Sequence, residues 1–197
     1  MLDTLKNIKN YHIILASNSP RRRELLSGLG LDFEVRVLTG IDESYPVCLP
    51  SVKVAEYIAK QKATAYLETL ADDELLITAD TVVVVDDDIL GKPSDATDAF
   101  RMLRLLSGRS HQVITGVCLA TCQQQRLFSV STDVTFKTLS DEEINYYIEC
   151  YQPFDKAGAY GIQEWIGFVG VTSLNGSYFN VMGLPVQRIY TELQCFF

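Results

Sequence analysis

The order of residues from Tyr11 to Gly30 leaves few options for the fold. An apolar run, a Ser-Asn-Ser-Pro turn and three consecutive arginines precede a leucine-rich stretch. Tyr11 to Ala16 reads as a strand, Ser19 as an N-cap and Pro20 as the first helical residue. Leu25, Leu26 and Leu29 give that helix a buried face, and Gly28 and Gly30 end it. Arg21, Arg22 and Arg23 then fall in the first turn, where free backbone N–H groups and the positive end of the helix dipole favour an anion and disfavour a cation. Two readings follow. Backbone donors and guanidinium forks converge on a phosphate or carboxylate, or the turn is solvated and its arginines pair with acids such as Glu24. On the first reading, removing Arg22 leaves the unliganded protein as stable or slightly more so, because a badly placed charge is gone.

With 197 residues, 47% of them hydrophobic, the chain can bury a substantial core, most simply as one domain over residues 1–197. A net charge of -8 disfavours a general nucleic-acid surface, so a local arginine cluster points to a small anionic partner. No apolar run reaches the length of a membrane span, and Met1 to Asn10 lacks the apolar centre of a signal peptide. A cytoplasmic protein is expected. Cys48, Cys118, Cys122, Cys150 and Cys195 are odd in number and scattered, so reduced thiols are expected. His12 and His111 alone support neither a histidine-rich metal site nor a Ser-His-Asp hydrolase.

Further along, Asp32 to Leu38 predicts a strand, Gly40 to Pro50 an acidic loop with Asp42 and Glu43, and Val52 to Leu70 a long helix. Leu75 to Ala79 predicts a strand ending at Asp80. Thr81 to Asp86 and Ile89-Leu90 predict a β-excursion around the solvated Asp86-Asp87-Asp88 turn. Ser94 to Leu106 predicts a helix capped by Ser94 and closed by Gly108. Gln112 to Thr121 and Leu127 to Lys137 predict a hairpin. Ser140-Asp141-Glu142-Glu143 is a capping box for a helix to Cys150, Asn175-Gly176 marks a turn, and Leu184 to Leu193 predicts a closing helix. The pattern is a mixed α/β domain, with two lobes around a cleft compatible with it.

Asp80 and Thr81 leave a run apolar enough to be buried. A carboxylate there can ligate a divalent cation or hold an attacking water, or it can simply end a strand at the surface. Lys92, between Gly91 and Pro93, either aims into a site or lies solvated. Asp155 to Gln163 combines glycines that permit close backbone approach with an amide suited to the edge of a planar base, and a bulged strand is the alternative.

Leu15 to Arg22, Ala79-Asp80-Thr81, Gly91-Lys92-Pro93, Leu106 to Gly116, Asp155 to Gln163, Asn175 to Tyr178 and Gly183-Leu184-Pro185, taken in order, resemble the Maf-type nucleoside triphosphate pyrophosphatases. The resemblance covers nearly the whole chain. It implies a cytoplasmic, often dimeric enzyme, dependent on magnesium or manganese, that cuts a nucleoside triphosphate between its α and β phosphates. It also implies an elongated mixed β-sheet with flanking helices, in two lobes around a nucleotide cleft, related to the inosine triphosphate pyrophosphatases. By this likeness Asp80 is the proton acceptor and a metal ligand. Arg21, Thr81 and Gln163 govern substrate choice, and Ser17, Arg22, Lys62 and Lys92 lie on the phosphate side. Thr81 with Gln163, and the Ser-Gly-x-x-His stretch, look like the dTTP/UTP branch. The rivals are a 7-methyl-GTP pyrophosphatase and a nucleotide-binding regulator of cell division. Glu164-Trp165 departs from the glycine-rich turn expected after Gln163.

Overall fold

The computed structural model describes residues 3–196. Its strands are β1 (His12–Leu15), β2 (Phe33–Val35), β3 (Glu74–Val85), β4 (Asp88–Leu90), β5 (Ser110–Ala120), β6 (Gln125–Phe136) and β7 (Val171–Asn175). Its helices are α1 (Pro20–Ser27), α2 (Ser51–Thr64), α3 (Ala96–Leu106), α4 (Asp141–Tyr151), α5 (Trp165–Gly170), α6 (Tyr178–Met182) and α7 (Val186–Gln194). The seven strands form one mixed sheet in the order β2-β1-β3-β5-β6-β7, with β4 on β3. The expected mixed α/β fold with flanking helices is therefore present. No helix among the described residues is long and apolar enough to cross a membrane, and the five cysteines are free thiols.

Two compact units divide the chain. The first comprises the residues up to Asp80, Thr115–Val130 and those from Gly183 onward. Here β1 pairs in parallel with both β2 and β3, with Ile13 opposite Phe33 and Leu75. Ser19 caps α1 as predicted, its side chain accepting from the Arg22 amide at 3.4 Å. Helix α2 lies flush on the sheet through Ala55, Ala59 and Ala63, all fully buried. Two contacts fix its height. Thr78 Oγ1 donates to the Ala59 carbonyl at 2.7 Å, and a Cβ built on Gly116 would stand 2.3 Å from the Ala55 backbone. The helix stops at Thr64 rather than the predicted Leu70, because Tyr66 turns inward and spends its hydroxyl on Arg36 and Leu38. Near its start the chain is tied to α7, where Asn7 Nδ2 donates to the Leu193 carbonyl at 2.6 Å across 186 residues.

The second unit comprises Thr81–Ile114 and Ser131–Met182. Strand β4 turns back on β3 with Val85 opposite Asp88, so Asp86 and Asp87 form the loop, at φ 49 and 69. Two positive φ values make this the mirror-image turn that suits the twist of a hairpin. Helix α3 is capped by Asp95, which accepts from the Asp98 amide at 2.8 Å, rather than by Ser94. A carboxylate is the stronger acceptor at a positive dipole end. The Ser140–Glu143 capping box opens α4 as predicted. Met102, Leu103, Ile144, Tyr147, Ile162 and Ile166 lie in the buried core of this unit.

His111, 3% exposed, packs edge-on against Phe136 and Tyr160 and shares a 2.7 Å hydrogen bond through Nε2 with the Tyr160 hydroxyl. Burial lowers its pKa to about 4. The unfolded chain therefore takes up this proton first as pH falls through about 6.5. The stability from neutral His111 is full above that point and is lost as pH falls toward 4, by about 2 kcal/mol at pH 5. Denaturant unfolding at pH 7 and pH 5 checks this. His111→Gln, which cannot titrate, is expected to lose less over that interval than the wild type.

Candidate active site

Within the twelve-residue β3 every residue but Asp80 and Thr81 is buried. The strand does not end at Asp80 as predicted. The β-branched run Val82 to Val85 continues it, and the two polar side chains emerge mid-strand. Alternation along a strand puts Thr78 and Asp80 on one face, and Thr78 is the residue bonded to α2. The same helix, about two turns beyond Ala55, delivers Lys62. Its Nζ lies 2.7 Å from Asp80 Oδ1 and 3.2 Å from Glu43 Oε1. Lys62 and Asp80 side chains are each 14% exposed, against 53% for Glu43.

The role of Glu43 was not legible beyond the acidity of its loop. The loop geometry explains why Glu43 rather than Asp42 reaches inward. Asp42 is occupied locally, accepting from the Ser44 amide and hydroxyl at 2.8 and 2.9 Å, and this pins its carboxylate down. The Tyr66 hydroxyl anchors the approach to the loop, accepting from the Leu38 amide at 2.8 Å and donating to the Arg36 carbonyl at 3.0 Å.

The arginines at the start of α1 do not simply confront the dipole. Arg22 turns its fork sideways, donating from Nε to the Gly183 carbonyl and from Nη1 to the Ala79 carbonyl, both at 2.8 Å. Burial lowers its pKa, and the Asp80 carboxylate acts in the opposite direction. The expectation that Arg22 can be removed without loss of stability is thus corrected, since two carbonyls would lose a charged donor. Arg22→Ala is expected to cost the unliganded protein about 3 kcal/mol, read as a lower melting temperature. An unchanged melting temperature would restore the dipole-only view. Arg23 donates to the Asn18 carbonyl at 3.1 Å, and Ser17 Oγ, 7% exposed, accepts from the Ser19 amide at 3.2 Å.

In the second unit, Lys92 is exposed. Its turn is held by the Gly158 amide, which donates to the Gly91 carbonyl at 3.0 Å. Gly158 has φ +67, and a Cβ there would stand 2.9 Å from Val83, so only glycine fits this approach. Gln163 is partly buried, and its Oε1 is fully buried with no hydrogen-bond partner among the described residues. A buried acceptor without a donor is costly unless a ligand completes it.

No group of three or more His, Cys, Asp or Glu side chains able to hold a metal ion occurs among the described residues. Asp80 and Glu43 nevertheless reach a common point, the Lys62 ammonium. A donor set of two carboxylates fits a hard cation such as magnesium, which keeps water and takes its remaining ligands from phosphate oxygens.

The description "Maf-like protein" matches residues 12–196. The chain is 62% identical to a dTTP/UTP pyrophosphatase of Phocaeicola vulgatus, over 96% of this chain and 98% of that one. It is 59% identical to a dTTP/UTP pyrophosphatase of Parabacteroides distasonis, over 98% and 100%. A crystal structure of a dITP/XTP pyrophosphatase from Mycobacterium abscessus aligns at 14% identity and a TM-score of 0.41, over 92% of this chain and 93% of that one. The ordered motifs from Leu15 to Pro185 and the match over residues 12–196 make this chain a member of the Maf-like protein family.

Proposed function

We propose that the protein is a nucleoside triphosphate pyrophosphatase that hydrolyses dTTP and UTP to the monophosphate and pyrophosphate. The observation that carries this reading is the Lys62 ammonium held against the mid-strand Asp80 at 2.7 Å, in the same unit as the arginine-bearing start of α1. The names of relatives 62% and 59% identical support the substrate class.

Attack of water on a phosphoanhydride needs a base for the proton and cations for the charge on phosphate oxygens. In this proposal Asp80 accepts the proton from water, and Lys62 fixes the direction of its carboxylate. Ser17, Arg21, Arg22, Lys62 and Lys92 bind the triphosphate, while Arg21, Thr81 and Gln163 set the choice of base. Asp80 and Glu43 would hold a magnesium or manganese ion, whose chemistry is to neutralise phosphate charge. Gln163 Oε1 suits the N3–H of uracil or thymine. The same proposal makes residues 1–197 one catalytic domain, cytoplasmic and acting on small nucleotides, the last point supported by the net charge of -8.

The test is a panel of UTP, dTTP, CTP, GTP and 7-methyl-GTP with magnesium or manganese, products separated. The expected products are UMP or TMP with pyrophosphate, and UTP and dTTP are the preferred substrates. Release of orthophosphate, or a preference for 7-methyl-GTP, would overturn the assignment.

A further inference from the structure

Glu164, where the chain departs from its family's expected turn, belongs to a buried polar network that the proposed chemistry does not use. Tyr147 rises from α4 and is fully buried. Its hydroxyl accepts from the Gly161 amide at 3.0 Å and donates to the Glu164 carboxylate. The Glu164 amide in turn donates to the Gly161 carbonyl at 3.0 Å. One hydroxyl thus clasps both ends of a four-residue turn, and Gln163 is displayed within it. Lys156, 8% exposed, braces the clasp by pairing with Glu164 at 3.1 Å and with Asp155 at 2.7 Å. Gly161 completes the arrangement. A Cβ there would stand 3.0 Å from Gln163 Nε2 and 2.9 Å from the Glu164 carboxyl carbon, so the tips of both side chains fold over this carbon and would have to shift to admit a methyl group.

We propose that Tyr147, with Glu164 and Gly161, is a positioning unit that fixes the Gln163 amide and thereby sets selectivity between pyrimidines of equal size. The inference rests on the reading of Gln163 as the base-facing residue. Its physical basis is the two-sided nature of a glutamine amide. Uracil and thymine present an N–H donor at N3 beside a carbonyl acceptor, and cytosine presents the reverse. An amide free to rotate half a turn satisfies either base and discriminates neither. An amide held with Oε1 toward the base accepts from uracil N3–H and meets cytosine N3, a second acceptor, with an unmet pair. Discrimination therefore depends on how firmly the turn is held, and Tyr147 holds it without reaching the base.

The experiment measures kcat and KM for UTP and CTP in the wild type, Gln163→Leu, Tyr147→Phe, Gly161→Ala and the Gln163→Leu/Tyr147→Phe double variant. Tyr147→Phe is expected to lower the UTP:CTP ratio of kcat/KM about tenfold, through KM for UTP, with kcat for UTP changed by less than about twofold. Gly161→Ala is expected to shift the ratio in the same direction. In the Gln163→Leu background, Tyr147→Phe should change the ratio no further. If Gln163→Leu leaves the ratio unchanged, the base reading fails and this inference with it. If Gln163→Leu shifts the ratio while Tyr147→Phe and Gly161→Ala depress both nucleotides equally, or lower only the melting temperature, the base reading stands and the positioning role is overturned. Should Tyr147→Phe not fold, Glu164→Gln, which keeps shape but weakens the clasp, is judged by the same ratio.

Discussion

Asp80→Asn is expected to lower turnover of the preferred triphosphate by about 10² to 10⁴-fold, the range that a positioned general base supplies. The substitution keeps the shape of the side chain and an oxygen for the Lys62 ammonium, which lies 2.7 Å from Asp80 Oδ1. What it removes is the ability to take a proton from water. Folding, followed by melting temperature, should be little changed, and nucleotide should still bind. Single-turnover rates separate the two effects, since a base acts on the chemical step and a phosphate ligand acts on affinity as well. A folded Asp80→Asn protein with near-normal turnover would remove Asp80 from its proposed role and leave Lys62–Asp80 as a structural ion pair.

The second large effect is expected far from any reacting atom. Gly116→Ala places a methyl group 2.3 Å from the Ala55 carbonyl and the Glu56 amide. Backbone on both sides cannot rotate away as a side-chain tip can, so α2 must lift from the sheet. The cost is about 3 kcal/mol, at the upper end of overpacking penalties, and a loss of roughly 6–12 °C in melting temperature for a chain of this size. Lifting α2 also draws Lys62 from Asp80, so residual activity should fall more than stability alone would dictate. Activity measured well below the melting temperature checks that coupling. A variant with unaltered melting behaviour would mean that β5 and α2 are not in the close contact described.

Particular residues show how far the sequence could be read. Ser19, Pro20 and the Ser140–Glu143 box announced helix starts correctly, because capping is a local interaction between residues two or three apart. The Asp86-Asp87 turn was legible for the same reason. The end of α2 was not, since it is decided by the Tyr66 hydroxyl finding backbone partners at Arg36 and Leu38. Strand β3 was cut short at Asp80 because a polar pair looks like a terminus, whereas here it is an opening in a strand buried on either side. Asp80 stood out by its place at the end of an apolar run, whereas Lys62 was named only through family resemblance. Eighteen positions separate them, and nothing in the local pattern links a helix face to a strand. Arg22 was placed correctly in the first turn but its direction was missed, because its acceptors at Ala79 and Gly183 lie 57 and 161 residues away.

Those distant acceptors, with the bond from Asn7 to Leu193, set the order in which the protein can fold during synthesis. Asn7 emerges first and must wait for a partner 186 residues later. At about 5–20 residues per second, that wait is roughly 10–40 s. Arg22 spends most of the same interval without its Gly183 acceptor. The residues Thr81–Ile114 and Ser131–Met182 are all made before Gly183 appears, so the second unit has its whole sequence available while the first still lacks its last segment. A nascent chain released before α7 would therefore carry a complete second unit and an unclosed first one, with Ile8, Leu5 and the start of the sheet uncovered for proteases or chaperones to find.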